Sequence, residues 1–238
     1  NHLNARNFKK VIEGAKIILN KVPNNDYLLN ITGMAYQGLS QHDNSIKCFN
    51  QALKHSPNNL AAMNNLANSL KAIGKLEESK DLYENIIKIN PNYINAYNNY
   101  ANLKTLVNDY DGAIQLYKKA YSIIEKIDNV PNSTVAGILF SLAAAYQSAN
   151  KIEETQEIVK KILSIDPSHV GAHKLTGSLI KYSNDNEESM KHIKEMEEVD
   201  KQINDQDLLK KVDISYALGK SYEDLKNFEK AFHYLSKA

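Results

Sequence analysis

Apolar residues recur along most of the chain three and four positions apart, the spacing that lines one face of an α-helix. Short polar connections rich in asparagine separate these stretches, and prolines punctuate them at a fixed interval. Pro23, Pro57 and Pro91 stand 34 residues apart, in the similar settings Lys21-Val22-Pro23-Asn24, His55-Ser56-Pro57-Asn58 and Ile89-Asn90-Pro91-Asn92. Pro167, after Ser164-Ile165-Asp166, lies 76 residues beyond Pro91, which is two periods plus eight. Proline cannot donate the backbone hydrogen bond that would continue a helix, so each proline marks the end of one helix and the entry to the next pair.

In that register small and large residues align. The first full repeat has Gly33 and Tyr36 on its first helix (A), then Ser45, Phe49 and Ala52 on its second (B). The second has Ala67 and Leu70, then Ser79, Tyr83 and Ile86; the third has Ala101, then Ala113, Tyr117 and Ala120. The fourth has Ala143 and Tyr146, then Thr155, Val159 and Ile162. The fifth predicts Gly177 and Ile180, then Ser189, Ile193 and Met196; the sixth predicts Gly219 and Tyr222, then Ala231, Leu235 and Ala238. Ahead of them, Phe8, Val11, Ala15 and Ile18 read as an unpaired helix B. A small residue where two helices cross allows close approach, and the bulky residues one turn away fill the flanking space.

A 34-residue helix–turn–helix period with this small/large pattern resembles the tetratricopeptide repeat (TPR) family over nearly the whole chain. The resemblance implies an all-α, right-handed superhelical solenoid of about six and a half repeats, in which stacking buries the apolar face that one pair leaves open. The expected organisation is an orphan helix B over 1–25 and repeats over 26–59, 60–93, 94–127, 136–169, 170–203 and 212–238. Insertions of about eight residues fall at 128–135 and 204–211. The first holds Val130-Pro131-Asn132-Ser133, a turn and N-cap before a lengthened helix A, and the second is expected to extend helices. The last three repeats are then expected to form a sub-module.

In such solenoids the A helices line a concave face. The resemblance puts Asn64, Asn65 and Asn68 on that face in the second repeat and Asn98, Asn99 and Asn102 in the third, with Lys71 at the rim. Asparagine is a mediocre helix former, so six on one face call for a reason. A side-chain amide both donates and accepts, which suits gripping the backbone of an extended peptide. Asn65-Leu66-Ala67-Asn68-Ser69-Leu70 is similar to the asparagine ladder of O-linked N-acetylglucosamine (O-GlcNAc) transferases. The alternative is compositional, since asparagine is also abundant in the loops. The carboxylate clamp of chaperone-tail binders is not expected, because Gly137 and Ser141 stand where the resemblance would need cations.

The final repeat, from Ile214-Ser215-Tyr216-Ala217-Leu218-Gly219-Lys220-Ser221-Tyr222 through Phe228 to Leu235, resembles the last repeat of bacterial proteins in which TPRs precede a sulfotransferase domain. That resemblance, with a first residue other than methionine, suggests a piece of a longer protein.

Composition adds mainly exclusions. The net charge of +1 offers no strong field for nucleic acid or a membrane surface. One cysteine, Cys48, allows no disulfide within the chain and reads as a part-buried apolar filler. No run of about eighteen apolar residues suggests a membrane span, and the expected compartment is the cytoplasm. Gly219-Lys220-Ser221 lacks the earlier glycine of a phosphate loop, and His169 and His173, four apart, lack a third metal ligand. No catalytic grouping and no cofactor site emerges. The expected function is a non-catalytic module that binds a protein or an extended peptide. The alternative is the recognition or oligomerisation arm of a larger transferase, a sulfotransferase before an O-GlcNAc-transferase-like enzyme. A homodimer through the terminal repeats is a further expectation, prompted by apolar residues around Phe8, Val11 and Ile12.

Overall fold

The structure, a computed structural model, describes residues 5–204 and 206–238. Predicted element boundaries that fall on residues 1–4 and 205 lie outside the described residues. Thirteen α-helices and no strand occur among the described residues: α1 (Ala5–Leu19), α2 (Asp26–Gly38), α3 (His42–His55), α4 (Leu60–Ala72), α5 (Leu76–Ile89), α6 (Ile94–Leu106), α7 (Tyr110–Ile124), α8 (Asn132–Ser148), α9 (Ile152–Ile165), α10 (Val170–Leu179), α11 (Glu187–Gln202), α12 (Leu208–Asp224) and α13 (Phe228–Leu235). The chain divides into two compact units, Asn1–Ile123 and Ile124–Ala238.

In the first unit α2/α3 and α4/α5 form helix pairs, and each pair packs on the next through α3 against α4 and α5 against α6. The predicted packing positions are buried: Ser45, Phe49 and Ala52 on α3, Ser79, Tyr83 and Ile86 on α5, Ala113, Tyr117 and Ala120 on α7. Gly33 shows why the crossing position is small. A Cβ there would lie 2.5 Å from the Phe49 ring. At the start of the unit the exposed apolar residues are not those the sequence suggested. The Phe8 ring lies against Gly38 of α2, and Ile12 is buried, so these residues face the neighbouring helix rather than open water. The exposed apolar residues of α1 are instead Ile17 and Ile18, the latter predicted as core. Helix α1 has thus turned its Phe8–Ile12–Ala15 stripe toward α2.

In the second unit α8/α9 and α12/α13 pair, α10 packs on both α9 and α12, and α11 packs on α12. Helices α10 and α11 meet through the His173–His192 contact (2.9 Å). Ala143, Tyr146, Thr155, Val159, Ile162, Ser189, Ile193, Met196 and Tyr222 are buried as predicted. Helix α8 runs to 17 residues, but its N-cap is Pro131, which has no capping side chain. Asn132 reaches instead to the Ile165 carbonyl (3.2 Å). Helix α12 is likewise 17 residues long. Two packing predictions need correction. Ile180 lies past the end of α10, in extended backbone (φ −119°, ψ 153°), and the buried residue here is Tyr182. Leu235 touches Gly219 yet stays 42% exposed, and Ala238 lies beyond α13, because no further helix stacks on that side among the described residues.

The joints repeat a single device. Three-residue turns link α2 to α3, α4 to α5, α6 to α7, α8 to α9 and α12 to α13. The middle residue of each is left-handed: Ser40, Gly74, Asn108, Asn150 and Lys226, with φ between 55° and 81°. The next residue then donates its N–H back across five positions at 2.9 Å each: Gln41 to Tyr36, Lys75 to Leu70, Asp109 to Lys104, Lys151 to Tyr146 and Asn227 to Tyr222. This pattern satisfies the carbonyls left over at a helix C-terminus. At the opposite joints Asn25, Asn59 and His169 cap the incoming A helix, each accepting from an N–H three residues on.

Candidate functional site

Helices α4 and α6 of the first unit carry the predicted asparagines, and the structure gives most of them partners within the protein. The Asn65 amide donates to Asn30 Oδ1 (3.1 Å), and the Asn99 amide to Asn64 Oδ1 (3.0 Å). Each bond joins one A helix to the next. Asn64 is only 6% exposed, so it supports Asn99 rather than presenting its own amide. Asn68 Oδ1 accepts the Tyr83 hydroxyl (2.6 Å), and Asn102 Oδ1 accepts the Tyr117 hydroxyl (2.7 Å). Both tyrosines are buried on helix B, where a hydroxyl without a partner is costly. Burial pushes the Tyr83 pKa up to about 12, so that hydroxyl stays a donor.

These bonds leave a definite remainder. The side chains of Asn98 and Lys71 have no hydrogen-bond partner among the described residues. Asn68 and Asn102 keep their NH₂ donors, and Asn65 and Asn99 keep their carbonyl oxygens. Lys71 sits in the last turn of α4, part-buried, and desolvation there pulls its ammonium below the usual lysine range. A cation in that state gains from an incoming anion, which would replace the water it has lost.

Two participants escaped the sequence reading. Gln37 donates from α2 to the Asn65 backbone carbonyl (2.8 Å) and to Ser69 Oγ (2.7 Å), and Asn30 Oδ1 accepts from the Asn65 amide. A signal for the tyrosine pairs was present: Asn68 and Asn102 each precede their tyrosine by fifteen residues, and the same two positions of the first repeat hold Met34 and Phe49. Elsewhere, the Cys48 thiol is part-buried and its pKa is raised by burial. No group of three or more metal-ligating side chains occurs among the described residues. Among the same residues no helix is long and apolar enough to cross a membrane.

Comparison with known proteins agrees with the repeat fold. No curated protein matches the chain. Among solved structures, the C-terminal part of a TPR repeat-containing protein from Cytophaga hutchinsonii is similar over 97% of this chain and 89% of its own, at 13% identity and a TM-score of 0.67. PilF of Pseudomonas aeruginosa is similar over 88% of each chain, at 15% identity and a TM-score of 0.67. YrrB, described as a TPR protein with an unusual peptide-binding site, is similar over 79% of this chain and 89% of its own, at 17% identity and a TM-score of 0.56. Identities this low speak for the fold alone. Tetratricopeptide repeat models match residues 28–59, 58–126 and 212–238. The matched stretches together exceed half of the sequence, and the chain belongs to the tetratricopeptide repeat family.

Proposed function

We propose that this protein is an interaction module whose first unit takes an extended segment of a partner protein along the A-helix face of α2, α4 and α6. The observation that carries this reading is the residue of unused polar groups on that face: the Asn98 amide, the Asn68 and Asn102 NH₂ groups, and the unpaired Lys71 ammonium. The cross-helix pairs Asn30–Asn65 and Asn64–Asn99 hold their amides in set orientations, so part of the ordering cost is met before a ligand arrives. Amide donors suit the carbonyls of an extended backbone whatever its side chains, and Lys71 suits an acidic side chain or a terminal carboxylate. The peptide-binding site of YrrB, on a similar fold, supports the class of ligand.

The test is a peptide-array screen of the protein beside Asn98→Ala/Lys71→Ala, both checked for equal helicity by circular dichroism. Binding of acidic extended peptides by the unmodified protein is expected, with affinity at least about tenfold weaker in the double variant, or roughly 1.4 kcal/mol. Equal binding by both proteins, or no binding by either, removes this face as the site.

A further inference from the structure

Five of the turns from an A helix to its B helix are closed by backbone hydrogen bonds at a left-handed residue. The sixth, residues 180–186 between α10 and α11, is held by side chains. Tyr182 is 2% exposed; its N–H donates to Asp224 Oδ2 (3.2 Å) on α12, and its hydroxyl reaches His192 Nδ1 (2.7 Å) on α11. His192 Nε2 lies 2.9 Å from His173 Nδ1 on α10, and His173 Nε2 lies 2.8 Å from the Pro167 carbonyl. The three rings stack, with centroids 5.1 and 5.9 Å apart.

The direction of every bond in this row is forced. A carbonyl only accepts, so His173 Nε2 carries the hydrogen. In the neutral ring Nδ1 then accepts from His192 Nε2–H, and His192 Nδ1 in turn accepts from the Tyr182 hydroxyl. In this neutral state the row joins four segments of the chain. A single added proton leaves the row intact, because the Tyr182 hydroxyl oxygen accepts from a His192 Nδ1–H. With both imidazoles charged, His192 Nε2–H and His173 Nδ1–H face each other and the central bond is lost.

We propose that the Tyr182–His192–His173–Pro167 row is an acid-sensitive latch, in which charging the two buried imidazoles breaks the His192–His173 bond, frees the 180–186 connection and loosens α10 from α11. The groups around it are mixed in sign. Asp166 at the end of α9 and Glu195 on α11 favour a charged His173, while His169 at the start of α10 opposes it. Lys160 of α9, Lys181 beyond α10, and Glu188 and Lys191 of α11 line the same cavity as His192, and Asp224 of α12 holds the Tyr182 N–H. Burial outweighs them: it holds His173 below the ordinary value of 6.5 and pulls His192 down to about 4, with His173 adding to the latter. A cavity of about 420 Å³ beside the short end of α10 has His192 in its wall, which gives protons a route to the ring.

The sign follows from these directions. Both rings bind protons more weakly folded than unfolded, so the latch contributes fully above about pH 6.5 and is lost as pH falls from there toward 4. The latch does not depend on ligand binding.

Hydrogen exchange of the whole chain at about pH 7.5 and about pH 5, corrected for intrinsic rates, tests it. Protection over residues 176–192 is expected to fall at least about tenfold more on acidification than protection over residues 96–103. Tyr182→Phe, which removes the donor and keeps the rings, is expected to lower protection of 176–192 already at about pH 7.5 and to flatten its acid dependence. A titration of the imidazole nitrogens by NMR in the unmodified protein is expected to place both histidines below the ordinary value. Equal loss in the two segments, or histidines that titrate near 6.5 while 176–192 stays protected, overturns the latch.

Discussion

Asn68 and Asn102 look like ligand-facing amides in the sequence, yet each spends its oxygen on a tyrosine hydroxyl from the neighbouring helix. The first repeat carries Met34 and Phe49 at the matching positions, with no hydroxyl to satisfy. Tyr83→Phe should therefore cost about 1 kcal/mol in urea denaturation. Asn68→Met added to it should cost less than the sum of the two single changes, since the pair acts as a unit. Glycines separate by the same logic. Gly33→Ala would drive a methyl into the Phe49 ring and should destabilise by about 1–3 kcal/mol. Gly137→Ala on α8 meets nothing within 4 Å and should stabilise by up to about 1 kcal/mol through helix propensity. Thermal or urea melts of the two variants check the contrast.

At the level of the helix pair, the 34-residue period was readable from prolines and packing positions, because each helix end and each crossing is set by neighbours close in sequence. The turns hid a constancy behind changing residues: serine, glycine, asparagine and lysine all adopt the same left-handed backbone. For serine and lysine that conformation is strained. Ser40→Gly and Lys226→Gly should each stabilise by about 0.5–1 kcal/mol, while Gly74→Ala should lose about as much, read from urea midpoints. The α10/α11 joint escaped the sequence reading, because Ile180 continues the apolar period while the backbone leaves the helix at Leu179. What ends α10 there is a long-range choice. Tyr182 finds Asp224 and His192, 42 and 10 residues away, and buries its ring.

Across the whole molecule, the latch histidines belong to residues 124–238 alone, so acid should act unevenly on the two units. Between about pH 7.5 and about pH 5, the urea midpoint followed by exchange in residues 170–200 should move down further than that of residues 60–103. Repeat period, helix order, the buried small/large stripe and the all-α class were legible in the linear sequence, since in a stacked-repeat protein each pair contacts mainly its neighbours and the pattern recurs with every period. The tertiary structure decided which amides remain free, which way α1 turns its apolar stripe, and where α10 stops. Those outcomes depend on partners brought together by packing rather than by period. Asn98 and Asn64 stand at one and the same repeat position, yet the first has no partner and the second is covered and bonded to Asn99. Asn64 owes its partner to the neighbouring helix α6, which its own repeat does not encode.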